Sequence, residues 1–197
     1  MVFDMHASDD TGELEMVKIR RGRQVRRWKA YEQGESLPLV CATLPIIGTD
    51  KIVELMRSPQ KRVMGGEWIF FLSEHQKPRD DSGRSALVRG LKEEVGYDSK
   101  RYGLFDPDEQ ISLRYQSAEH QKPLRWRVHP YVVPIARLSD LTLDGKEILE
   151  VRARPIDEVM CEVYRENSPY RRFSPKSFFK VLEKHTRHII NNINFNY

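Results

Sequence analysis

Long apolar runs are missing from this 197-residue chain. None approaches the ~18 consecutive apolar residues of a membrane-spanning helix, and the first 30 residues hold no signal-peptide core. Cysteine is scarce, with Cys41 and Cys161 the only two. Each sits among apolar neighbours, so both are expected to pack as small hydrophobes in a reducing compartment rather than form a disulfide or bind metal. A cytoplasmic or nuclear location is the expectation. There is no internal repeat, and low complexity is confined to the Asn-rich end, residues 191–197.

The residues that are present describe a polar globular protein, 39% hydrophobic with a formal net charge of +4 and a mean hydropathy of -0.63. The length suits one domain plus an extension. Residues 1–36 read as a flexible N-terminal segment, acidic and polar at its start. A domain follows over 37–190, and 191–197 form a polar tail. Residues 37–47 and 51–56 read as two strands around a Gly48-Thr-Asp turn. Residues 66–71 form a Trp-led strand. Residues 128–135 form another, whose prolines argue for an edge or a strand end. Ser174-Pro175 reads as an N-cap and first helical position. The helix it opens carries Phe178, Val181, Leu182, His185 and Ile189 at helical spacing, with His185 a core-edge histidine.

The most informative stretch is 86–97, Ala-Leu-Val-Arg-Gly-Leu-Lys-Glu-Glu-Val-Gly-Tyr. As a helix it sets Leu87, Leu91 and Val95 on one apolar stripe. Gly90, Glu93 and Glu94 fall on a neighbouring face, and Gly96 supplies the stop. Two adjacent carboxylates on a rigid element suit Mg2+, a hard cation that keeps several of its waters. An exposed acidic pair that merely solvates the helix is the plainer alternative.

This stretch resembles the second half of the Nudix box: Arg89, Leu91, Glu93, Glu94, Gly96 and Tyr97 match its pattern. The first half departs from it. Asp81 stands where the family has Glu, His75 where it has Gly, and Gly90 where a Glu should follow Arg89. Gly65-Gly66 precede Trp68, so they are not the family's loop glycines, and the interval from Trp68 to Arg89 is longer than usual. Around the box, the strands at 37–47, 51–56 and 66–71 agree with the family. So does the stretch 147–158, which resembles the late Nudix strand running into a helix start.

The resemblance implies an α/β (α+β) fold, a Nudix-type α/β/α sandwich with a mixed sheet. It implies a pyrophosphatase using Mg2+, or Mn2+ in its place, to hydrolyse a phosphoanhydride. By resemblance, Glu93, Glu94 and Asp81 hold the metal, Glu93 serves as general base, and Arg89 orients helix against loop. Glu74, Asp80, Glu147 and Glu150 are further candidates for the oxygen ligand lost at Gly90.

Residues 18–29 carry seven basic side chains and no acidic one. Arginine forks match phosphate oxygens, and clustering raises the local concentration of a polyanion. The Arg21-Gly-Arg-Gln core, with Trp28 and Tyr31 after it, is similar to the arm of diphosphoinositol polyphosphate phosphohydrolases. That likeness implies substrate binding by Arg20, Arg21, Arg23, Arg26 and Arg27. The expected substrate is a diphosphoinositol polyphosphate or a dinucleoside polyphosphate. RNA is the other partner that basic residues interleaved with Trp28, and a second cluster at Lys122, Arg125, Trp126 and Arg127, would suit. The alternative function is a degenerate Nudix module that binds RNA or a protein partner without turnover. A solvated tail is the plain reading of the basic stretch.

Overall fold

Alternation of apolar and polar side chains builds two sheets and a hairpin. The computed structural model describes residues 15–61, 64–99, 103–115, 122–172 and 174–192. The expected acidic start at 1–14 and the end of the tail, 193–197, lie outside the described residues. In chain order the hairpin is β1 (Met16–Lys18) and β2 (Gln24–Arg26), followed by α1 (Arg27–Gln33). Strands β3 (Ser36–Thr43), β4 (Lys51–Arg57), β5 (Trp68–Ile69) and β6 (Leu72–His75) lead into α2 (Gly83–Val95). Then come β7 (Ile111–Tyr115), β8 (Leu124–Val132), β9 (Ile148–Pro155), α3 (Ile156–Tyr164) and α4 (Lys176–Asn192).

One sheet has the order β6-β3-β8-β7 and is mixed, with β8 parallel to β3 and both outer strands antiparallel. The other, β5-β4-β9, is antiparallel. Helices α2 and α4 cover opposite faces of the mixed sheet. A Cβ on Gly83 of α2 would stand 3.0 Å from Val40 Cγ1, whereas Thr186 of α4 shares a 2.7 Å hydrogen bond with Thr43. Val40 and Thr43 are three apart on β3, so they point to opposite faces. The core joins Leu87, Leu91 and Val95 of α2 to Phe178, Phe179 and Leu182 of α4 through Ile52, Leu55 and Phe70. The architecture is the α/β/α sandwich with a mixed sheet that the sequence implied.

Three local expectations need correction. The Trp-led strand is broken: Trp68–Ile69 pairs with β4, and Leu72–His75 pairs with β3 in the other sheet. Phe70 and Phe71 make the crossing, anchored edge-on or tilted against Tyr170, Phe178 and Phe179. The proline-bearing strand β8 lies inside its sheet, not at its edge, although Pro134 does fall beyond its end at Val132. Pairing with β7 ends at Val128, and the neighbouring Val132 N–H points away from β3, toward Phe105. Alternation turns the Pro130 nitrogen to the same open flank, so its missing donor costs no ladder bond. Cys41 is buried as expected, but Cys161 is exposed.

The basic stretch also differs from a flexible segment. Val17, Ile19 and Ala30, hidden among the charges, bury with Leu37 in a second apolar cluster, with Val25, Tyr31 and Trp126 packed against it. Gly34, at φ 69, caps α1 by donating to Ala30 and Tyr31 carbonyls.

Candidate active site

Helix α2 is fixed at both ends. Ser82 caps its start, accepting from Ser85 N–H at 3.1 Å while Ser85 Oγ accepts from Ser82 N–H at 2.8 Å. At the other end Gly96 is left-handed, φ 60, and a Cβ there would meet Thr142 O at 2.6 Å. The neighbouring loop runs this close because Thr142 N–H donates to Val95 O at 2.8 Å and Asp144 N–H to Glu94 O at 3.2 Å. The Asp144 carboxylate then accepts from the backbone N–H groups of Lys146 and Glu147, each at 3.0 Å. That turn holds Glu147 close enough to Glu94 to act on its charge.

Arg89 ties α2 to the preceding strand and loop. It donates Nε and Nη2 to Asp80 at 3.1 and 2.9 Å, Nη1 to Glu74 at 2.8 Å and to Glu93 at 3.1 Å, and Nη2 to the His75 carbonyl at 3.0 Å. Asp80 also accepts from Lys77 N–H at 2.7 Å, which folds the loop. Burial opposes the Arg89 charge, but the hydrogen bond to Asp80 and the field of Glu74 outweigh it, and the guanidinium is held protonated. Burial also opposes the Asp80 charge, yet Arg89 and Lys77 N–H hold that carboxyl below its ordinary range.

The two helix carboxylates have opposite surroundings. Glu93 is 44% exposed and ringed by cations: Arg79 at 2.8 Å, Arg89 at 3.1 Å and Lys77 at 3.5 Å. Glu94 is 7% exposed and accepts no side-chain hydrogen bond among the described residues. Burial, then Glu147, then Glu74 push its carboxyl well above the ordinary range, against the pull of Arg57 and Lys61. Glu147 is itself paired with Lys61 at 2.7 Å. Glu74 rests against Gly90, where a Cβ would lie 3.1 Å from its Cγ.

Of the residues singled out from sequence, Arg89 and Glu93 meet directly, and Glu94 faces Glu74 and Glu147. Asp81 is exposed at the helix entrance and bonds to none of them. Asp80 takes the place beside Arg89, one residue nearer the strand, and the longer interval from Trp68 to Arg89 was the available signal. Glu150 pairs opposite Met56 in the antiparallel sheet, and no contact links it to this group. His75 ends β6 instead of forming a loop. It is buried and 3.3 Å from Tyr31 Oη, and burial together with the Arg27 charge keeps its imidazole neutral.

The basic stretch meets the site through Lys18, which sequence reading did not distinguish from its neighbours. Its N–H donates to Gln76 O at 2.9 Å, and its ammonium donates to the Asp80 carbonyl. Arg23 pairs with Glu35 at 2.6 Å and Arg27 with Glu15 at 3.8 Å. Arg21 and Arg26 are exposed, and the side chain of Arg20 lies outside what is described. The second cluster is split by strand alternation: Trp126 packs against the two apolar clusters, so it is not presented beside Arg125 and Arg127.

Among the described residues, no group of three or more His, Cys, Asp or Glu converges as a ready metal cage. Mg2+ rarely needs one, since it binds through one or two carboxylates plus substrate phosphates. Glu94, buried and with no donor among the described residues, faces the charges of Glu147 and Glu74, and hard carboxylate oxygens of this kind suit a divalent cation. The residues fit the ion.

No protein-family model matches the chain, and no curated protein matches its sequence. Solved structures do match in shape. The E. coli dihydroneopterin triphosphate pyrophosphohydrolase aligns with a TM-score of 0.54 at 12% identity, over 77% of this chain and 95% of that one. The Nudix domain of Shewanella oneidensis NrtR, complexed with ADP ribose, aligns at 0.52 with 15% identity, over 78% and 88%. A C. elegans Ap4A hydrolase aligns at 0.50 with 14% identity, over 78% and 97%. With the Arg89-centred helix and the mixed sheet between α2 and α4, these matches establish that this chain has the Nudix fold.

Proposed function

We propose that the chain is a Mg2+- or Mn2+-dependent Nudix-type pyrophosphohydrolase. Its substrate is a highly phosphorylated small molecule carrying a diphosphate linkage, a diphosphoinositol polyphosphate or a dinucleoside polyphosphate. The observation that carries this reading is Glu94, a buried carboxylate with no hydrogen-bond donor among the described residues, set between Glu74 and Glu147 on a helix that Arg89 holds in place. Two of the similar structures are named for acting on a triphosphate and on Ap4A, which is chemistry of this class. A reducing compartment, cytoplasmic or nuclear, suits the unpaired thiols.

Glu94 and Glu93 would hold the cation, with Glu74 and Glu147 the nearest further oxygens. Bound there, a divalent cation supplies neutralisation of charge on the diphosphate. Glu93, the exposed member, accepts the proton of the attacking water. Lys77, Arg79 and Arg89 fix its carboxylate. Arg89 positions the helix and does not touch the reacting atoms.

A second reading, a module that binds RNA or a protein partner without turnover, is favoured by one observation: Gly90 leaves the helix one carboxylate short. The experiment is release of phosphate or nucleotide from both substrate classes, with Mg2+ and with Mn2+, by the wild type and by Glu94→Gln. Metal-dependent turnover that vanishes in the variant is expected. No product from either class with either metal would overturn the hydrolase reading in favour of the binding module.

A further inference from the structure

The far end of the mixed sheet is buried on one face and bare on the other. Cross-strand pairing sets Ile111 against Val128 and Leu113 against Trp126, all packed into apolar clusters. The intervening pairs, Ser112 with Arg127 and Arg114 with Arg125, must therefore point to the opposite face. That is the face on which α2 lies, because Arg127, His129 and Tyr131 alternate together and the Tyr131 hydroxyl is 3.6 Å from a Cβ placed on Gly83.

Two features of this surface ask for a ligand. Arg114 and Arg125 stand directly opposite each other, an arrangement in which like charges destabilise a sheet. Both are exposed, and neither has an acidic partner among the described residues. Beside them, the Nε of Arg127 is buried and finds no hydrogen-bond partner among the described residues, although a buried donor is ordinarily satisfied. An oxyanion would answer both: it neutralises the facing pair and accepts from the orphaned donor.

We infer that Arg114, Arg125 and Arg127, with the Ser112 hydroxyl, form a subsite for the phosphate groups of a phosphorylated small molecule. Strand spacing and rise put Arg127 roughly 12 Å from Glu74 along the same face, a distance an extended polyphosphorylated molecule spans. The subsite deepens the proposed function by naming where the remote phosphates sit, and it rests on that reading only for the identity of the ligand. Its charge pattern is its own.

The test is titration calorimetry with inorganic tripolyphosphate in EDTA, at low salt, on the full chain. Arg114→Ser/Arg125→Ser should lose about tenfold or more in affinity, the scale of one lost charge-assisted hydrogen bond. Its melting temperature should not fall, because a repulsive pair has been removed. Equal affinity in the double variant overturns the subsite. So does a loss seen only when Arg21 and Arg26 of the N-terminal hairpin are replaced, which would move the anion site there. A single-stranded RNA whose binding collapses in the double variant while tripolyphosphate binding is unchanged also overturns it, in favour of nucleic acid. Glu94→Gln should leave metal-free tripolyphosphate binding intact. Failure of hydrolysis and failure of the subsite are therefore read separately.

Discussion

Glu74 fills the space beside Gly90: a Cβ at position 90 would lie 3.1 Å from its Cγ, 3.2 Å from its Cβ and 3.3 Å from its Oε2. The space that a side chain at position 90 would need is thus taken by a carboxylate from the neighbouring strand. Burial raises the Glu74 carboxyl above its ordinary range, against the opposing pull of Arg89.

The first prediction follows from that contact. Gly90→Ala gains about 1 kcal/mol of helix propensity, yet it crowds a side chain pinned by Arg89 at 2.8 Å and by His75 N–H at 2.8 Å. The crowding wins, and thermal melts should show a drop of roughly 2–4 °C. In a Glu74→Ser background the same change should raise the melting temperature. A rise in the wild-type background would show that Glu74 yields freely. Gly90→Glu should be worse than Gly90→Ala, since it sets a second carboxylate against Glu74.

Glu94→Gln should stabilise the metal-free protein near neutrality. The folded-state pKa of Glu94 is raised, so the folded protein binds its proton more tightly than the unfolded chain does. Stability from this group is therefore fully present below the ordinary carboxylate pKa and is lost as pH rises toward the raised folded value. The variant escapes that loss, and its advantage should vanish in acid. Added Mg2+ should raise the melting temperature of the wild type and not that of the variant. Melts across pH, with and without metal, give both outcomes, and a variant less stable at neutrality would refute the sign.

Arg89→Met should be among the most damaging single changes in the chain. The Arg89, Asp80 and Glu74 side chains are 10%, 5% and 12% exposed, so removal strands two buried carboxylates at a cost of about 3–5 kcal/mol. Arg89→Lys should recover only part of this, because a single ammonium cannot replace the two-point contact with Asp80. The Asp80 contribution has the ordinary sign: its folded pKa is lowered, so its stability is present above the ordinary carboxylate range and lost as pH falls through the lowered value. Denaturant titration of both variants measures the difference.

Val17→Asp should release the N-terminal hairpin. Val17 is fully buried, and an aspartate there would have no partner in the small cluster it shares with Ile19, Ala30 and Leu37. Trypsin should then cut within 18–29 faster, by about tenfold for each 1.4 kcal/mol of local stability lost. Cleavage at the wild-type rate would mean that the hairpin is already open in solution.

The sequence alone determined the helix that carries Glu93 and Glu94, because the apolar stripe of Leu87, Leu91 and Val95 and the stop at Gly96 are local signals. It also determined the strand-to-helix passage at Pro155 and most of the stripe on the last helix, where Phe178, Leu182, His185 and Ile189 are buried and Val181 is half-buried. The Nudix fold was legible for the same reason, since the half of the box that matches lies on one contiguous helix. Tertiary structure alone decided which acid reaches Arg89. Asp80 and Asp81 are adjacent and chemically alike, and only the loop closed by Lys77 and Lys18 turns the first one inward. It also decided that residues 66–71 divide between two sheets and that the basic stretch is a packed hairpin. Both outcomes depend on partners far along the chain, Leu37 and Trp126 for the hairpin and Tyr170 and Phe178 for the crossing. Local periodicity does not carry that information; burial against distant apolar surface does.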